Sequence, residues 1–422
     1  MKQNKAWTLG FYLLVFLVFL AFGFYQLDQV PFHGDESSWI SSSNSFEAFI
    51  HFDSKNPVWN QSYWTLTQPP ITRYLIGIGR TIGGYDDQHL NKPLDFFLSD
   101  EENIANGAIP EPGLLHWARV PMVFLLAGSF VLLAVVMKKT FGWVVSVIYI
   151  ILSLLNPYYF YVLRLALGES PLVFFTCLAI VFTGLALNSW YKKDEPDKKR
   201  LRQMLLWITI ASISIGLAAG SKINGGLAVL GIIVCYFILG NKEKNKKIKH
   251  WFSWGIPVLV SFVSFAVFTL INPFTYINPL QRALEMLMFR GNEINIQRTS
   301  FPEYQISGVW QHIKIDVINT FQNYTPIHFS GAWILNLTLF LLGIWFIVRV
   351  WRSEFSSNAW FLASLAIGLS VSLPSLLSPL NYPRYFLFPV IFSQMVIAYG
   401  LGKILLIVMD TIKKRKQPQP IG

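Results

Sequence analysis

The chain has 422 residues, of which 53% are apolar, 16% aromatic and only 14% charged, with a mean hydropathy of +0.44. That is more apolar side chain than a soluble domain of this length can bury, so the composition excludes an ordinary soluble enzyme and reads as a polytopic membrane protein. The net charge of +11 would suit a nucleic-acid partner, but its placement in short tracts between apolar runs argues against one.

A hydrocarbon core of about 30 Å takes roughly 20 apolar residues per helix. About ten runs meet this, at 8–27, 116–137, 143–162, 171–190, 203–219, 223–240, 253–271, 332–350, 358–374 and 385–409. The first has no small-residue cleavage site before "YQLDQV", so it reads as an uncleaved span. Basic tracts stand at "MKKT" (137–140), "YKKDEPDKKRLR" (191–202), "NKEKNKKIKH" (241–250), "VRVWR" (348–352) and "KKRK" (413–416), and Lys2 and Lys5 precede the first run. Alternating through ten spans from an inside start puts every tract on the cytoplasmic side, as the positive-inside rule requires. Both termini are then cytoplasmic in a multi-pass cell-membrane protein, and residues 28–115 and 272–331 form two long external segments.

In the first of these, "GDE" places Asp35 and Glu36 side by side just beyond the first span. Further on, "QPPITRYLIGIGRTIGG" sets Ile71, Tyr74, Leu75, Ile78 and Ile82 on one helical face, with Arg73 and Arg80 elsewhere, the pattern of a helix lying in the membrane interface. "SSWISSSNSFEAFIHF" reads similarly through Trp39, Phe46, Phe49 and Ile50. His33 and His328 read as loop residues. Ionisable residues also recur at the outward ends of the spans. Arg119 opens the second, Arg164 and Glu169 in "LRLALGESP" cap the turn between the third and fourth, Lys222 in "AAGSKING" lies between the fifth and sixth, and Tyr382 and Arg384 in "NYPRYF" open the tenth.

Singly, each arginine suits a snorkelling anchor, and Tyr382 suits the interfacial aromatic belt. Arg164 and Glu169 could pair with each other, and Lys222 lacks the spacing of a phosphate loop. Together, two acids and several cations converge on one face, and ionisable groups near membrane depth point to function. Transfer of a sugar from a lipid phosphate needs this set. The phosphate is already a weakly basic leaving group, so it calls for cations and hydrogen-bond donors rather than a general acid. The acceptor alcohol must lose a proton, which calls for a carboxylate base. Displacement from the face opposite the phosphate inverts C1.

"GDE", "QPPITRYLIGIGRTIGG", "ARVPMVFLLAG", "NPYYFYVLRLALGESPLVFF" and "GLAAGSKING" resemble, in order and spacing, the protein O-mannosyltransferase family and its bacterial relatives, including the lipid A aminoarabinose transferases. The resemblance covers residues 8 to 240, and the C-terminal third only through "NYPRYFLFP". It implies an all-α integral membrane protein of the glycosyltransferase C-type fold, with about 10 to 13 transmembrane helices and interfacial helices in a long first external loop. It also implies a polyprenyl-phosphate-linked sugar as donor. Carried over by position, Asp35 matches the catalytic base, with Glu36 beside it orienting the site or holding a cation. Arg119, Arg164, Glu169 and Lys222 match residues of the donor and phosphate site, which Arg73, Tyr382 and Arg384 join from the same layer. Two positions depart from the family: "QPPITR" has Gln68 for the family's histidine and Arg73 for its lysine, and Glu169 replaces the commoner aspartate.

The whole chain then reads as one membrane glycosyltransferase domain, moving mannose or a related sugar to an alcohol of a protein, glycolipid or polymer at the external face. A flippase, transporter or ligase for lipid-linked glycans is the alternative, although a transporter would want polar groups at mid-membrane and the span centres are almost free of charge. No metal site or cofactor is read from the residues, and metal dependence stays open. Cys177 and Cys235 sit inside apolar runs and carry no expected role.

Overall fold

The computed structural model describes residues 5–191, 196–327, 329–355 and 358–416. Lys2, His328 and part of the basic tract at 191–202 lie outside them. The chain opens with α1 (Lys5–Phe24), followed by five short helices: α2 (Gly34–Ser41), α3 (Ser45–Ile50), α4 (Tyr63–Thr67), α5 (Pro70–Ile82) and α6 (Asp100–Ala105). Next come α7 (Pro112–Phe141), α8 (Trp143–Leu154), α9 (Pro157–Val162), α10 (Glu169–Tyr191), α11 (Asp197–Ser221), α12 (Ala228–Lys242), α13 (Lys246–His250) and α14 (Ile256–Ile271). The second long connection holds α15 (Pro279–Ser300) and α16 (Val309–Ile318), before α17 (Ala332–Arg349), α18 (Ala359–Leu376) and α19 (Leu387–Lys416). Among the described residues strand pairing is confined to one isolated bridge, Gln305 to Leu380.

Nine helices among the described residues are long and apolar enough to cross a membrane, and the protein is a multi-pass membrane protein. The run expected as one span at 143–162 is divided. α8 stops at Leu154, and Asn156 turns extended to cap α9, its Oδ1 accepting the Tyr158 N–H at 3.1 Å. Pro157 explains the break, because its ring disfavours a helical residue before it and it has no N–H to continue the ladder. The Asn156 amide is used instead, donating to Tyr324 O at 3.0 Å and Gln394 Oε1 at 3.3 Å, while Gln394 Nε2 donates to Ser153 Oγ at 2.8 Å. Polar groups buried among apolar helices need such internal partners.

α10 packs against α7, α11 and α18, and α1 lies along α7, around one large apolar core that includes Phe19, Phe130, Tyr159, Ile180, Ile215 and Ile391. A second, smaller core joins Trp39 and Ile40 of α2, Ile76 of α5, Ala118 and Met122 of α7, and Leu165 to Leu167 of the turn before α10.

Of the apolar stripe expected on α5, Ile78 and Ile82 are exposed, while Ile71 and Leu75 are half-buried against neighbouring clusters. Tyr74 departs from that stripe, turning inward to donate its hydroxyl to Ile271 O at 2.9 Å. On the other side of α5, Gly79 lies where a Cβ would stand 2.2 Å from the Trp117 carbonyl and 2.8 Å from Pro121, so glycine sets how closely α5 and α7 approach. The expected second interfacial helix is two helices, α2 and α3, with Trp39 buried and Ile50 exposed.

Candidate active site

Asp35 and Glu36 occupy the first turn of α2, whose start is fixed by a capping box. His33 Nδ1 accepts the Asp35 N–H at 3.2 Å, and the His33 N–H donates to Glu36 Oε2 at 3.1 Å. Burial holds the His33 ring below its ordinary pKa, against the pull of Asp35, and a neutral ring leaves Nδ1 free to accept. Consecutive residues on a helix point about 100° apart, so the two acids face different surroundings.

Glu36 faces inward. Arg119 Nε and Nη2 donate to its two oxygens at 2.8 and 2.6 Å, and the Ala166 N–H adds a bond at 2.8 Å. Arg119 also donates to the carbonyls of Leu27, Val30 and Pro31. Both side chains are buried. The pair ties α2, α7, the 27–31 turn and the turn before α10 into one unit.

Asp35 faces outward. Its Oδ2 accepts Arg384 Nη1, and Arg384 Nε lies 4.0 Å from Glu169 Oε1, which accepts Lys222 Nζ at 2.7 Å. Cation and carboxylate therefore alternate along Asp35, Arg384, Glu169 and Lys222. Burial works to raise the Asp35 carboxyl, but Arg384, with Lys222, outweighs it and holds the group below the usual carboxylate range. The Arg384 guanidinium lies over the Tyr382 ring and Lys222 over Tyr385. Burial first, then Tyr385, pushes the Tyr382 phenol up to about 12, so it stays a hydrogen-bond donor.

The elements that carry these residues are pinned from several sides. Gly168 sits where a Cβ would lie 3.0 Å from Ser221 O, 3.6 Å from Thr72 Oγ1 and 3.7 Å from Lys222 Cβ. Thr72 Oγ1 donates to Ser221 O at 3.1 Å, which joins α5 to the end of α11. The "NYPRYF" segment is held by Tyr158, whose hydroxyl donates to Pro383 O at 2.7 Å, and by Asn381, whose N–H donates to Tyr304 O at 2.8 Å.

Arg73 is on α5, one residue beyond Thr72. It is buried, its Nε has no hydrogen-bond partner, and among the described residues no carboxylate pairs with it. Its guanidinium carbon lies 5.9 Å from the Trp59 ring centre, and burial lowers its pKa to about 10, which still leaves it protonated at neutral pH. Arg164 lies apart from the Asp35 cluster, donating to Phe160 O and to Tyr25 O, the latter at 2.8 Å. Gln68 accepts Ser42 Oγ at 2.9 Å.

Asp35, Glu169, Lys222, Tyr382 and Arg384 are thus brought together, Glu36 and Arg119 pair beneath them, and Arg164 faces the end of α1. Four further residues adjoin the cluster without having stood out in the sequence. Arg290 of α15 donates to Tyr385 Oη at 3.0 Å, and Glu293 accepts the Tyr63 hydroxyl at 3.0 Å. Burial, then Glu293, raises the Tyr63 phenol, and Asp35 is near enough to add to the effect. Charge in a long connection was the only available signal for Arg290 and Glu293.

The model of the dolichyl-phosphate-mannose-protein mannosyltransferase family matches residues 51–279, more than half of the chain. That range holds Arg73, Arg119, Arg164, Glu169 and Lys222, while Asp35, Glu36, Tyr382 and Arg384 lie beyond it. Among solved structures, ArnT from Cupriavidus metallidurans bound to undecaprenyl phosphate aligns with a TM-score of 0.52 at 16% identity, over 93% of this chain and 60% of ArnT. The Archaeoglobus fulgidus oligosaccharyltransferase in its apo form aligns with a TM-score of 0.54 at 14% identity, over 97% of this chain and 52% of that one. The same archaeal enzyme, AglB, in complex with an inhibitory peptide and a dolichol-phosphate, gives 0.51 at 12% identity, over 97% and 52%. This chain therefore spans between half and two thirds of the length of these structures, and what it shares with them is the glycosyltransferase C-type fold. No curated protein matches it. With a family model matching more than half of its residues, the chain belongs to the dolichyl-phosphate-mannose-protein mannosyltransferase family.

Proposed function

We propose that this protein transfers a sugar, mannose or a related one, from a polyprenyl-phosphate donor to an alcohol at the external membrane face, inverting C1. The observation that carries the reading is Arg73: a protonated guanidinium, buried and, among the described residues, without a carboxylate, on the helix whose Thr72 is bonded to the residue preceding Lys222. An unpaired buried charge is costly, and an anionic ligand offsets that cost. A lipid phosphate is the ligand named for ArnT and for AglB, which share the fold.

In this reading Arg73 and Lys222 hold the donor phosphate, and Arg384 is shared between it and Asp35. As the phosphate draws the guanidinium toward itself, Asp35 is left with free lone pairs and a rising proton affinity. The acceptor O–H then gives its proton to Asp35 while its oxygen bonds to C1. The C1–O bond to phosphate breaks, and the polyprenyl phosphate leaves with the electron pair, its charge met by the cations. Glu36 and Arg119 position Asp35 from beneath through α2. Basic tracts at the opposite ends of the spans support cytoplasmic termini and an external site.

The test is transfer from polyprenyl-phosphate sugars in detergent by the wild type and Asp35→Asn. The amide keeps the shape but cannot take the proton, so turnover should fall by about a hundredfold or more, with thermal melting lowered only modestly because Arg384 keeps Glu169 as a neighbour. Near-normal turnover of the variant would remove Asp35 as the base. Movement of the donor between leaflets without transfer would move the protein to the flippase class.

A further inference from the structure

α15 has two faces. One is attached to the rest of the protein: Met286 is fully buried in a cluster with Leu66, Phe268 and Phe274, and Arg290 and Glu293 bond Tyr385 and Tyr63. On the other, Leu280, Leu284, Leu287 and Met288 fall within an arc of about 100° at 3.6 residues per turn. They are 66%, 49%, 52% and 70% exposed. Four large apolar side chains on one open face mark an interaction surface.

The preceding chain indicates what covers it. α14 ends a candidate membrane span, Lys246–Ile271, and its exposed Val258, Phe262 and Leu270 form that span's outer flank. Tyr276 then folds back, its hydroxyl donating to Leu270 O at 2.8 Å, and Ile277 beside it is exposed. Tyr276 is half-exposed at the span's end, where an aromatic ring with a polar tip suits the membrane interface. The apolar face of α15 therefore begins where the outer flank of α14 ends, joined by Tyr276 and Ile277.

The geometry points to α15 as a helix lying in the bilayer surface, with its Leu280, Leu284, Leu287 and Met288 face among lipid acyl chains and its other face closing over the Asp35 cluster. The partner is the lipid bilayer, which takes up such a face with the helix axis parallel to the membrane plane. α15 then forms a wall between lipid and site, and a lipid-borne donor enters along it. That last consequence rests on the proposed reaction, whereas the placement of the helix does not.

The test puts single cysteines at Leu284, Met288 and, as an aqueous control, Lys55, in the full chain in lipid nanodiscs, each labelled with an environment-sensitive fluorophore. The buried Cys177 and Cys235 are left in place, and an unsubstituted chain measures any background labelling. Labels at 284 and 288 should be shifted to the blue and quenched by nitroxide-bearing lipids but not by aqueous iodide, with the reverse at 55. Iodide quenching at 284 and 288 overturns the inference, and quenching by neither agent overturns it in favour of a protein partner on that face. In a second arm, the Leu284→Glu/Met288→Glu double variant should raise KM for a long-chain polyprenyl donor about tenfold, from lost apolar burial, and leave a short-chain, water-soluble donor unaffected. Equal effects on both donors overturn the entry route. Absence of transfer by the wild type would instead count against the proposed reaction, and the fluorescence result stands apart from it.

Discussion

Arg384 reaches back 349 residues along the chain to donate to Asp35, and its Nε stands 4.0 Å from Glu169. One guanidinium therefore sets the electrostatics of the acid proposed as base, and each of its alternatives for pairing changes what that acid can do.

The pH dependence follows from this pair. Burial alone would raise the Asp35 carboxyl, and the cations beside it reverse the sign. A carboxylate depressed in the folded state stabilises the protein above its unfolded pKa, and that contribution is lost as pH falls through the folded value. In the wild type the acid limb of kcat/KM should thus lie below the ordinary aspartate pKa of about 3.9. Arg384→Gln removes the strongest opposing charge, so the limb should move to higher pH. Profiles of kcat/KM for both proteins check this, and coincident limbs would separate Asp35 from the titration.

Glu36 and Arg119 should behave as a stability pair. Both are buried and bonded to each other at 2.8 and 2.6 Å, and removing one member of such a pair costs about 3–5 kcal/mol. Glu36→Gln and Arg119→Met should each lower the melting temperature markedly, whereas Asp35→Asn should not. The double variant should recover part of the loss. A Glu36→Gln protein that melts like the wild type and loses only turnover would place Glu36 in the chemistry instead.

Arg73 should show the opposite separation. Among the described residues it has no carboxylate to strand, so Arg73→Met replaces a costly buried charge by an apolar chain of similar length, a change that is often neutral or stabilising by about 1–4 kcal/mol. Melting should be unchanged or higher, while KM for the donor should rise about tenfold, the scale of one lost charge-assisted hydrogen bond to phosphate. A fall in melting temperature with KM unchanged would show that Arg73 serves packing against Trp59.

The membrane class and the two long connections between apolar runs were legible in the sequence, because hydrophobic length needs no tertiary knowledge. Asp35 and Glu36 were legible as a pair, with separate roles implied by the resemblance, but which cation each would hold was not. That division depends on Arg119 and Arg384, which approach from helices 83 and 349 residues away. The split of the run at 143–162 had a local signal, Asn156 before Pro157, which its apolar composition outweighed. Arg290, Glu293, Tyr63 and Tyr385 could not be read, because a polar residue in a long connection shows its partner only once the connection folds back.

Gly168 gives the cluster a mechanical property. Three stretches of chain, around Thr72, Gly168 and Ser221, meet there so closely that a methyl group on Gly168 would press on the Ser221 carbonyl, which would have to give by a few tenths of an ångström. Arg73, Glu169 and Lys222 each sit one residue beyond this joint, so their mutual spacing is inherited from backbone contact and owes little to the flexibility of their own side chains. Related sequences are then free to exchange the ionisable residues, lysine for arginine or aspartate for glutamate, and retune the site without rebuilding it, so long as the joint keeps its three small occupants.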